Sequence, residues 1–372
     1  VIGVSLSREA AHTDMNGTLH DDRIAVGGDA KQRYYDGRGY GRPIGGNEIE
    51  LSRVEAAHLL FRGDLEAVVT DTGATLSFKS FFTQSARTDS GFAQRFLVYA
   101  DLRDRGFYLS PALDGWPGED TNNAVDFTVY PRGKGPTDTA VKYRITVVGE
   151  RKPIPAAELG GLVLAVVDEE SELTYLETAE PSFDGSSLYD PDTTIEGALI
   201  GDRVICWDAP EHVYETGFYG QPLSGRAAII DGAIQLSLVE AAGLAAIDRL
   251  TLTDITDSDD SYEAIVARGR EVEGDRFDRR LTVYQTLRSN GVVPKTGFKF
   301  GADFRTYNNV ESVSNLPHSE HLIRVVSPEH AFDPKELSLD VRLAGGVRKR
   351  MVFALTGANE TITWLSVSRL TP

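Results

Sequence analysis

Residues 49–57 read IELSRVEAA, and residues 234–242 read IQLSLVEAA. Each carries Ser-x-x-Glu, as Ser52 with Glu55 in the first and Ser237 with Glu240 in the second. At that spacing the serine oxygen and the glutamate satisfy free amides at a helix start, so both stretches mark helix N-termini. Outward from them the chain repeats itself in order. Asp22-Arg23-Ile24 returns as Asp202-Arg203-Val204, and Tyr40 to Ile44 (YGRPI) returns as Tyr219 to Leu223 (YGQPL). Downstream, Val98-Tyr99 with Leu102-Arg103 returns as Val283-Tyr284 with Leu287-Arg288. Asp126-Phe127 with Tyr130 returns as Asp303-Phe304 with Tyr307, and Thr174-Tyr175-Leu176 as Thr363-Trp364-Leu365. The offset stays near 180 throughout (240−55=185, 307−130=177). Collinear self-similarity of this kind is the mark of one unit duplicated and fused.

The expected fold class is α+β. Each unit opens with short strand-like runs, Arg23–Val26 and Arg203–Trp207, then the capped helix. A second helix, over Phe92–Arg105 or Phe277–Ser289, has apolar residues at helical spacing. Strand-like runs follow at Tyr143–Val148 and Leu322–Val326. Each unit ends on a strand pair, Val163–Val167 with Leu173–Leu176, and Met351–Leu355 with Thr361–Val367. The reading is a first repeat over 1–178, with a small α/β N-terminal subdomain at about 15–85 and a mixed-sheet, nuclease-like subdomain at 90–178. A linker spans 179–196, rich in Ser, Asp, Pro and Thr. The second repeat covers 197–372, with subdomains at about 197–262 and 275–372.

Composition sets the context. The 372 residues carry a formal charge of −18, and one cysteine, Cys206, rules out an internal disulfide and any multi-cysteine metal site. No run approaches the ~20 apolar residues of a membrane span, and no signal peptide is visible, so a cytoplasmic, reducing compartment is expected. From Arg276 to Pro372 there are 14 Lys/Arg against 9 Asp/Glu, a net of +5, while the rest of the chain carries −23. A basic segment inside an acidic chain fits a local polyanion site. The acidic remainder fits solubility at high salt.

Within that basic segment stand a tyrosine ending a strand-like run, Tyr307, a loop histidine, His318, and a lysine in a basic trio, Lys349. Together they offer a base, an acid and a fixed positive charge, enough to cleave RNA without a metal or other cofactor. Lys349 is read into a strand, where Arg348 and Arg350 point the other way. His321 is a rival for His318, but it abuts the apolar run Leu322–Val326 and reads as a strand-edge residue. The first copy keeps Tyr130, but its loop Pro131–Val141 has no histidine, and the AAELGG stretch before Val163 has no Arg or Lys. One competent site per chain is therefore expected, with the first copy as its structural partner.

The runs KTGFKFGADFRTY, LPHSEHLIRV and VRKRMVFAL resemble the archaeal tRNA-splicing endonucleases, in the fused two-unit form that acts as a homodimer. The similarity extends over essentially the whole chain, and the composition is like that of haloarchaeal proteins. It implies that Tyr307, His318 and Lys349 are a catalytic triad, and that precursor tRNA is cut at bulge-helix-bulge intron junctions. The products implied are 2′,3′-cyclic phosphate and 5′-hydroxyl ends. It also implies an RNA-binding pair, Arg342 and Trp364, that stacks on a flipped-out bulge base, as a guanidinium and an indole can on any base. The acidic loop Asp168-Glu169-Glu170 is implied to dock in a basic pocket of the other subunit, with Lys295, Lys299 and Arg305 as candidate partners. Two other readings compete: a metal-dependent nuclease of restriction type, and a non-catalytic RNA-binding or assembly subunit.

Overall fold

The computed structural model describes residues 15–372 apart from 123, 139, 188, 191, 224–231, 255–259 and 358–360. The chain divides into two compact units. Residues 1–152, 162–176 and 370–372 form unit 1, and residues 153–161 and 177–369 form unit 2. Both mix helices with sheets in the expected α+β class, and the same succession of elements recurs in each.

In unit 1 the strand Arg23–Val26 lies antiparallel to Asn16–His20 and to Glu48–Ser52, and Asn16–His20 runs parallel to Ala67–Val69. The chain passes from Ser52 directly into the helix Arg53–Phe61. Ser52 Oγ accepts from the Glu55 amide while the Glu55 carboxylate accepts from the Ser52 amide at 3.0 Å, so the capping box is complete. The helix Phe92–Asp104 follows, preceded by a helix that the sequence reading did not place, Phe78–Thr88. A second sheet holds Leu109–Pro111, Phe127–Val129, Tyr143–Gly149 and Val163–Val167 in that order, its last two strands parallel.

Unit 2 repeats this plan with one addition. Ile195–Ile200, Arg203–Cys206, Gln221–Pro222, Ile234–Ser237 and Leu250–Leu252 form the first sheet, and Ser237 with Glu240 caps the helix Leu238–Ala245. Helices Ser261–Glu273 and Asp275–Ser289 lead to a sheet ordered Val293–Thr296, Phe304–Tyr307, His321–Val326, Arg350–Thr356, Ile362–Leu370. His321–Val326 and Arg350–Thr356 are parallel, which demands a crossover. A 13-residue helix, Pro334–Gly346, supplies it, started by the Asp333 carboxylate accepting from the Lys335 and Glu336 amides, with Pro334 in its first turn. Between the parallel strands Tyr143–Gly149 and Val163–Val167 there is no α-helix, only the two-residue strand Ile154–Pro155 and a 3₁₀ turn, Ala156–Glu158.

Strand alternation sorts the two faces of the unit 2 sheet. Ile323, Val325, Val352 and Ala354 pack with Phe277, Leu281 and Tyr284 of the helix Asp275–Ser289. The opposite face meets the crossover helix, where Arg324 pairs with Asp340.

The segment read as a linker is shorter and more tightly held than expected. Strands reach in to Ala179 and out from Ile195. Phe183 is buried, and the amides of Gly185, Ser186 and Ser187 donate to the carbonyls of Asn290, Asn308 and Gly291 at 2.8, 2.8 and 2.9 Å. Gly185 is required there, because a Cβ would stand 2.2 Å from the Gly291 oxygen. Polar composition suggested a linker, but three successive amides of this segment are spent on carbonyls of unit 2.

Candidate active site

The register of the unit 2 sheet fixes where the candidate residues stand. Thr306 pairs with His321, and His321 pairs with Arg350. One residue further out, the Glu320 amide donates to the Thr306 carbonyl at 2.9 Å, and the Arg350 amide donates to the Glu320 carbonyl at 3.0 Å. Tyr307 therefore ends one strand while His318 and Lys349 precede the next two, all at one end of three adjoining strands.

Tyr307 is 5% exposed, its ring held by Phe218 at 5.6 Å between centroids and by Val293 and Val310. Its hydroxyl has no hydrogen-bond partner among the described residues. His318 is exposed in the loop that follows, and its imidazole also has no partner among the described residues. That loop is pinned by Ser314, which donates to Glu215 through its amide at 2.8 Å.

Lys349 is placed differently from the expectation. It lies in the turn before the strand, after Arg348 in the left-handed region (φ 57°), and its amide donates to the Ala344 carbonyl at 2.9 Å. The helix end, rather than strand alternation, aims its side chain. The half-buried ammonium donates to the Ser319 carbonyl at 3.0 Å and stands 5.7 Å from the Phe300 ring centre. Lysine and histidine loop are thus joined through the residue next to His318. Burial, and the Arg305 guanidinium after it, hold the Lys349 ammonium below the usual lysine pKa.

The rival histidine has a structural place. His321 is 8% exposed, bonded to Thr306 Oγ1 at 3.2 Å and packed edge-on to Phe183. Burial and the nearby Arg350 push its pKa down to about 4.

The structure does not bring Arg342 and Trp364 together. Arg342 is exposed on the crossover helix, without a partner among the described residues. Trp364 pairs with Ala354 and packs with Phe183 at 4.5 Å, on the face away from that helix. The acidic loop is a turn joining Val163–Val167 to Leu173–Ala179, and its acids are already committed in part. Asp168 accepts from the Glu170 and Glu172 amides at 2.9 and 2.8 Å, and Glu169 pairs with Arg151.

A cleft of about 440 Å³ lies beside the strands Val293–Thr296 and Phe304–Tyr307, lined among others by Arg203, Gln221, Gln235, Lys295 and Arg305. Lys295, expected as a pocket cation, is 8% exposed and already paired with Glu240, and it donates to the Phe218 and Gly220 carbonyls at 3.2 and 2.9 Å. In unit 1 the matching space is filled. Trp116 is 3% exposed between Arg23 and Arg42, whose guanidinium carbons stand 5.4 and 5.6 Å from its ring. The Tyr130 hydroxyl, twin of Tyr307, is occupied by Ser110 and the Pro117 carbonyl at 3.2 Å each.

Sequence reasoning missed Phe300 and Ser319, and gave Arg305 only to a docking pocket. Arg305 lies two residues before Tyr307, on the same strand face, and lines the cleft for which it was a candidate. Among the described residues no group of three or more His, Cys, Asp or Glu is gathered as a metal would require. No helix among them is long and apolar enough to cross a membrane.

Two family models match the chain. The catalytic C-terminal domain of tRNA intron endonuclease matches residues 277–364, which contain Tyr307, His318 and Lys349. The N-terminal domain of tRNA intron endonuclease matches twice, at 15–82 and 195–263, once in each unit. Similar relatives are named tRNA-splicing endonuclease. That of Haloferax volcanii is 52% identical over 366 residues, and that of Halobacterium salinarum 55% over 362, each match covering 96% of this chain and 100% of the relative. That of Methanosarcina acetivorans is 37% identical over 371 residues, covering 96% and 99%.

Proposed function

The chain belongs to the tRNA-splicing endonuclease family and is a tRNA-intron endonuclease, and from that premise we propose that it cuts precursor tRNA at bulge-helix-bulge junctions without a metal, through Tyr307, His318 and Lys349. The observation that carries this reading is their common position at one end of three adjoining strands, with the Lys349 ammonium on the Ser319 carbonyl.

In the proposed reaction Tyr307 takes the proton of a ribose 2′-hydroxyl, and the 2′-oxygen attacks the adjacent phosphorus. His318 gives a proton to the departing 5′-oxygen. The P–O5′ bond breaks as the P–O2′ bond forms, leaving a 2′,3′-cyclic phosphate and a 5′-hydroxyl. A phenol titrates near ~10, so it becomes an effective base only beside a cation. Lys349 supplies that cation and faces the charge building on the phosphoryl oxygens. Splayed single-stranded bulges suit this chemistry, because the narrow A-form major groove cannot be read by side chains.

Two copies of the chain, related by a two-fold axis, would present two such sites to the two bulges of one substrate. The open cleft of unit 2 supports this assembly as a receptor for the partner's Asp168–Glu170 turn, and Trp116 closes the equivalent space in unit 1. Arg342 and Trp364, on opposite faces within one chain, would meet a single base only across two subunits. The cytoplasm is the compartment proposed.

The test is cleavage of a labelled bulge-helix-bulge RNA in excess chelator, by the native chain and by His318→Ala. The expected result is two cuts with cyclic-phosphate ends, slowed by roughly 10²–10⁴-fold in the variant. Loss of native activity on chelation, or full activity in the variant, would overturn the mechanism.

A further inference from the structure

Resting on that reading of the site, we infer that Glu215 is a positioning residue for the RNA cut, fixing the loop that carries the His318 imidazole. Glu215 ends the short helix Glu211–Glu215, and its carboxylate accepts from the Ser314 amide at 2.8 Å and from the Ser314 hydroxyl. Ser314 sits in the 3₁₀ turn Val313–Asn315 of the histidine loop, 99 residues further along the chain. Both donors meet the same oxygen, Oε1, so backbone and side chain of Ser314 are fixed together. A charged acceptor makes such bonds roughly twice as strong as neutral ones. The hydroxyl bond, and the amide bond after it, hold the Glu215 carboxyl below its usual pKa. It is therefore ionised wherever an imidazole titrates, near ~6.5.

Among the described residues, the Ser314 bonds are the only hydrogen bonds that leave the stretch 311–318. Before that stretch, Val310 is buried and its amide donates to Ser187 Oγ at 2.6 Å. After it, Lys349 holds the Ser319 carbonyl at 3.0 Å, and Asn308 donates to Glu320 at 2.6 Å across the loop's neck. Within it, Val313 and Leu316 are partly buried against Phe218, Val293, Tyr307 and Val310. Pro317, next to His318, has its φ fixed by its ring. His318 thus stands between two fixed points, Ser314 and Ser319. Released from Glu215, the loop would keep only that partial packing from Val310 onward. A general acid works only within hydrogen-bond reach of the oxygen it protonates, so a wandering imidazole lowers the rate while binding is spared. The same short helix also backs the tyrosine: Tyr214 packs edge-on to Phe218 at 6.0 Å, and Phe218 packs on Tyr307.

The duplication supplies an internal control. Tyr35-Asp36 aligns with Tyr214-Glu215 in the same run that aligns Tyr40 with Tyr219. Asp36 makes no hydrogen bond or ion pair among the described residues, and the loop after Tyr130 closes on itself instead. There Asp138 accepts from the Gly135 amide at 2.8 Å and from the Lys134 ammonium at 3.2 Å. Phe218 aligns with Gly39, where a Cβ would stand 2.9 Å from Pro136 Cδ, so no aromatic ring fits behind the tyrosine of unit 1. The acid is present in both copies, and it ties the loop in the copy that has a histidine to place.

The deciding experiment is single-turnover cleavage of the bulge-helix-bulge RNA at saturating enzyme. The variants are Glu215→Ala, Glu215→Gln and Ser314→Ala, each alone and in the His318→Ala background. RNA affinity by titration and particle mass by light scattering are measured on the same samples. The expected result is a roughly 10–10²-fold slower Glu215→Ala cut, with affinity within a few-fold and mass unchanged. Glu215→Gln should recover part of the rate, because its amide oxygen still accepts from Ser314. In the His318→Ala background Glu215→Ala should cost less than about twofold, since no acid is left to position. A full-rate Glu215→Ala beside a slow His318→Ala would overturn the inference and leave the triad standing. Equal losses in the two backgrounds would also overturn it, because the carboxylate would then act elsewhere. Halved particle mass, with rate regained at high protein concentration, would overturn it and assign the contact to assembly. A full-rate His318→Ala would remove the triad reading and this inference together. If Glu215→Ala fails to fold, Ser314→Ala decides: a slowing that disappears without His318 supports the inference, and an unchanged rate overturns it.

Discussion

Replacing Lys295 by methionine should destabilise unit 2 by about 3–5 kcal/mol, the usual cost of stranding one partner of a buried ion pair. Both partners are nearly sealed, at 8% exposure each. Glu240 serves three functions at once: it closes the capping box on the Ser237 amide, accepts from the Gly220 amide at 3.1 Å, and holds the Lys295 ammonium. Burial alone would raise its pKa, but Lys295 and these bonds outweigh burial and hold it below the usual carboxylate value. Glu55, its twin, shows the state without the lysine: the same cap and the same glycine bond, but burial now wins and the pKa is raised. Lys295→Met should convert Glu240 to the Glu55 condition. Its penalty at pH 7 should then shrink as pH falls toward 5, because the stranded carboxyl takes up a proton. Adding Glu240→Gln removes the buried charge and should recover at least about 2 kcal/mol of the loss. The assay is equilibrium urea unfolding at fixed salt, followed by the fluorescence of Trp207 and Trp364. A single variant within 1 kcal/mol of the native chain, or a double variant no better than the single, would refute this account.

Two histidines should make the fold acid-sensitive. Burial depresses His58 and His321 from the usual 6.5 to about 4 each, after which the charges of Arg103 and Arg350 respectively add to the effect. Between those values the unfolded chain binds protons that the folded chain refuses, so stability falls as pH drops from about 6.5 to 4 and levels off below. The loss should reach about 3 kcal/mol per histidine, and His58→Phe should remove the unit 1 share from urea midpoints taken across this range. Trp116→Ala should cost unit 1 about 3–5 kcal/mol in denaturant unfolding, since a buried ring held between two guanidinium groups is lost. Its single-turnover rate on RNA should be unchanged, and a rate loss would mean that unit 1 contributes directly to the cut.

The parts of the fold legible in sequence were those governed by local rules. The capping boxes could be read because their hydrogen bonds span three residues, and the strand Arg23–Val26 fell where expected. The Asp126 and Asp303 match marked a structural device: Asp126 accepts from the Val147 amide at 2.7 Å and Asp303 from the Val325 amide at 2.8 Å, and each also holds an arginine. Helices Phe78–Thr88 and Ser261–Glu273 were missed, although the first has Phe78, Phe81 and Phe82 at helical spacing, because neither start carries a serine–glutamate capping box. The linker misled because its composition is polar while its amides are satisfied by carbonyls more than 100 residues away. Lys349 misled for a related reason, since the helix preceding it sets its direction.

The positions of residues 307, 318 and 349 could be compared with the degenerate copy, and that comparison pointed to a site. Its electrostatics required the fold. Sequence counts Lys295, Lys299, Arg305 and Lys349 as equivalent positive charges, but the structure separates them. Lys295 is spent on Glu240, Lys349 leans on a carbonyl, and Arg305 stands beside the Tyr307 ring with no acidic partner among the described residues. A net charge of +5 over the last 97 residues therefore says where a polyanion can bind, and the pairing of each cation decides which of them can meet a phosphate. Asp303, just before the strand Phe304–Tyr307, shows the same rule from the acidic side: it is matched inside the unit to Arg276 and Arg280, so its charge is already neutralised.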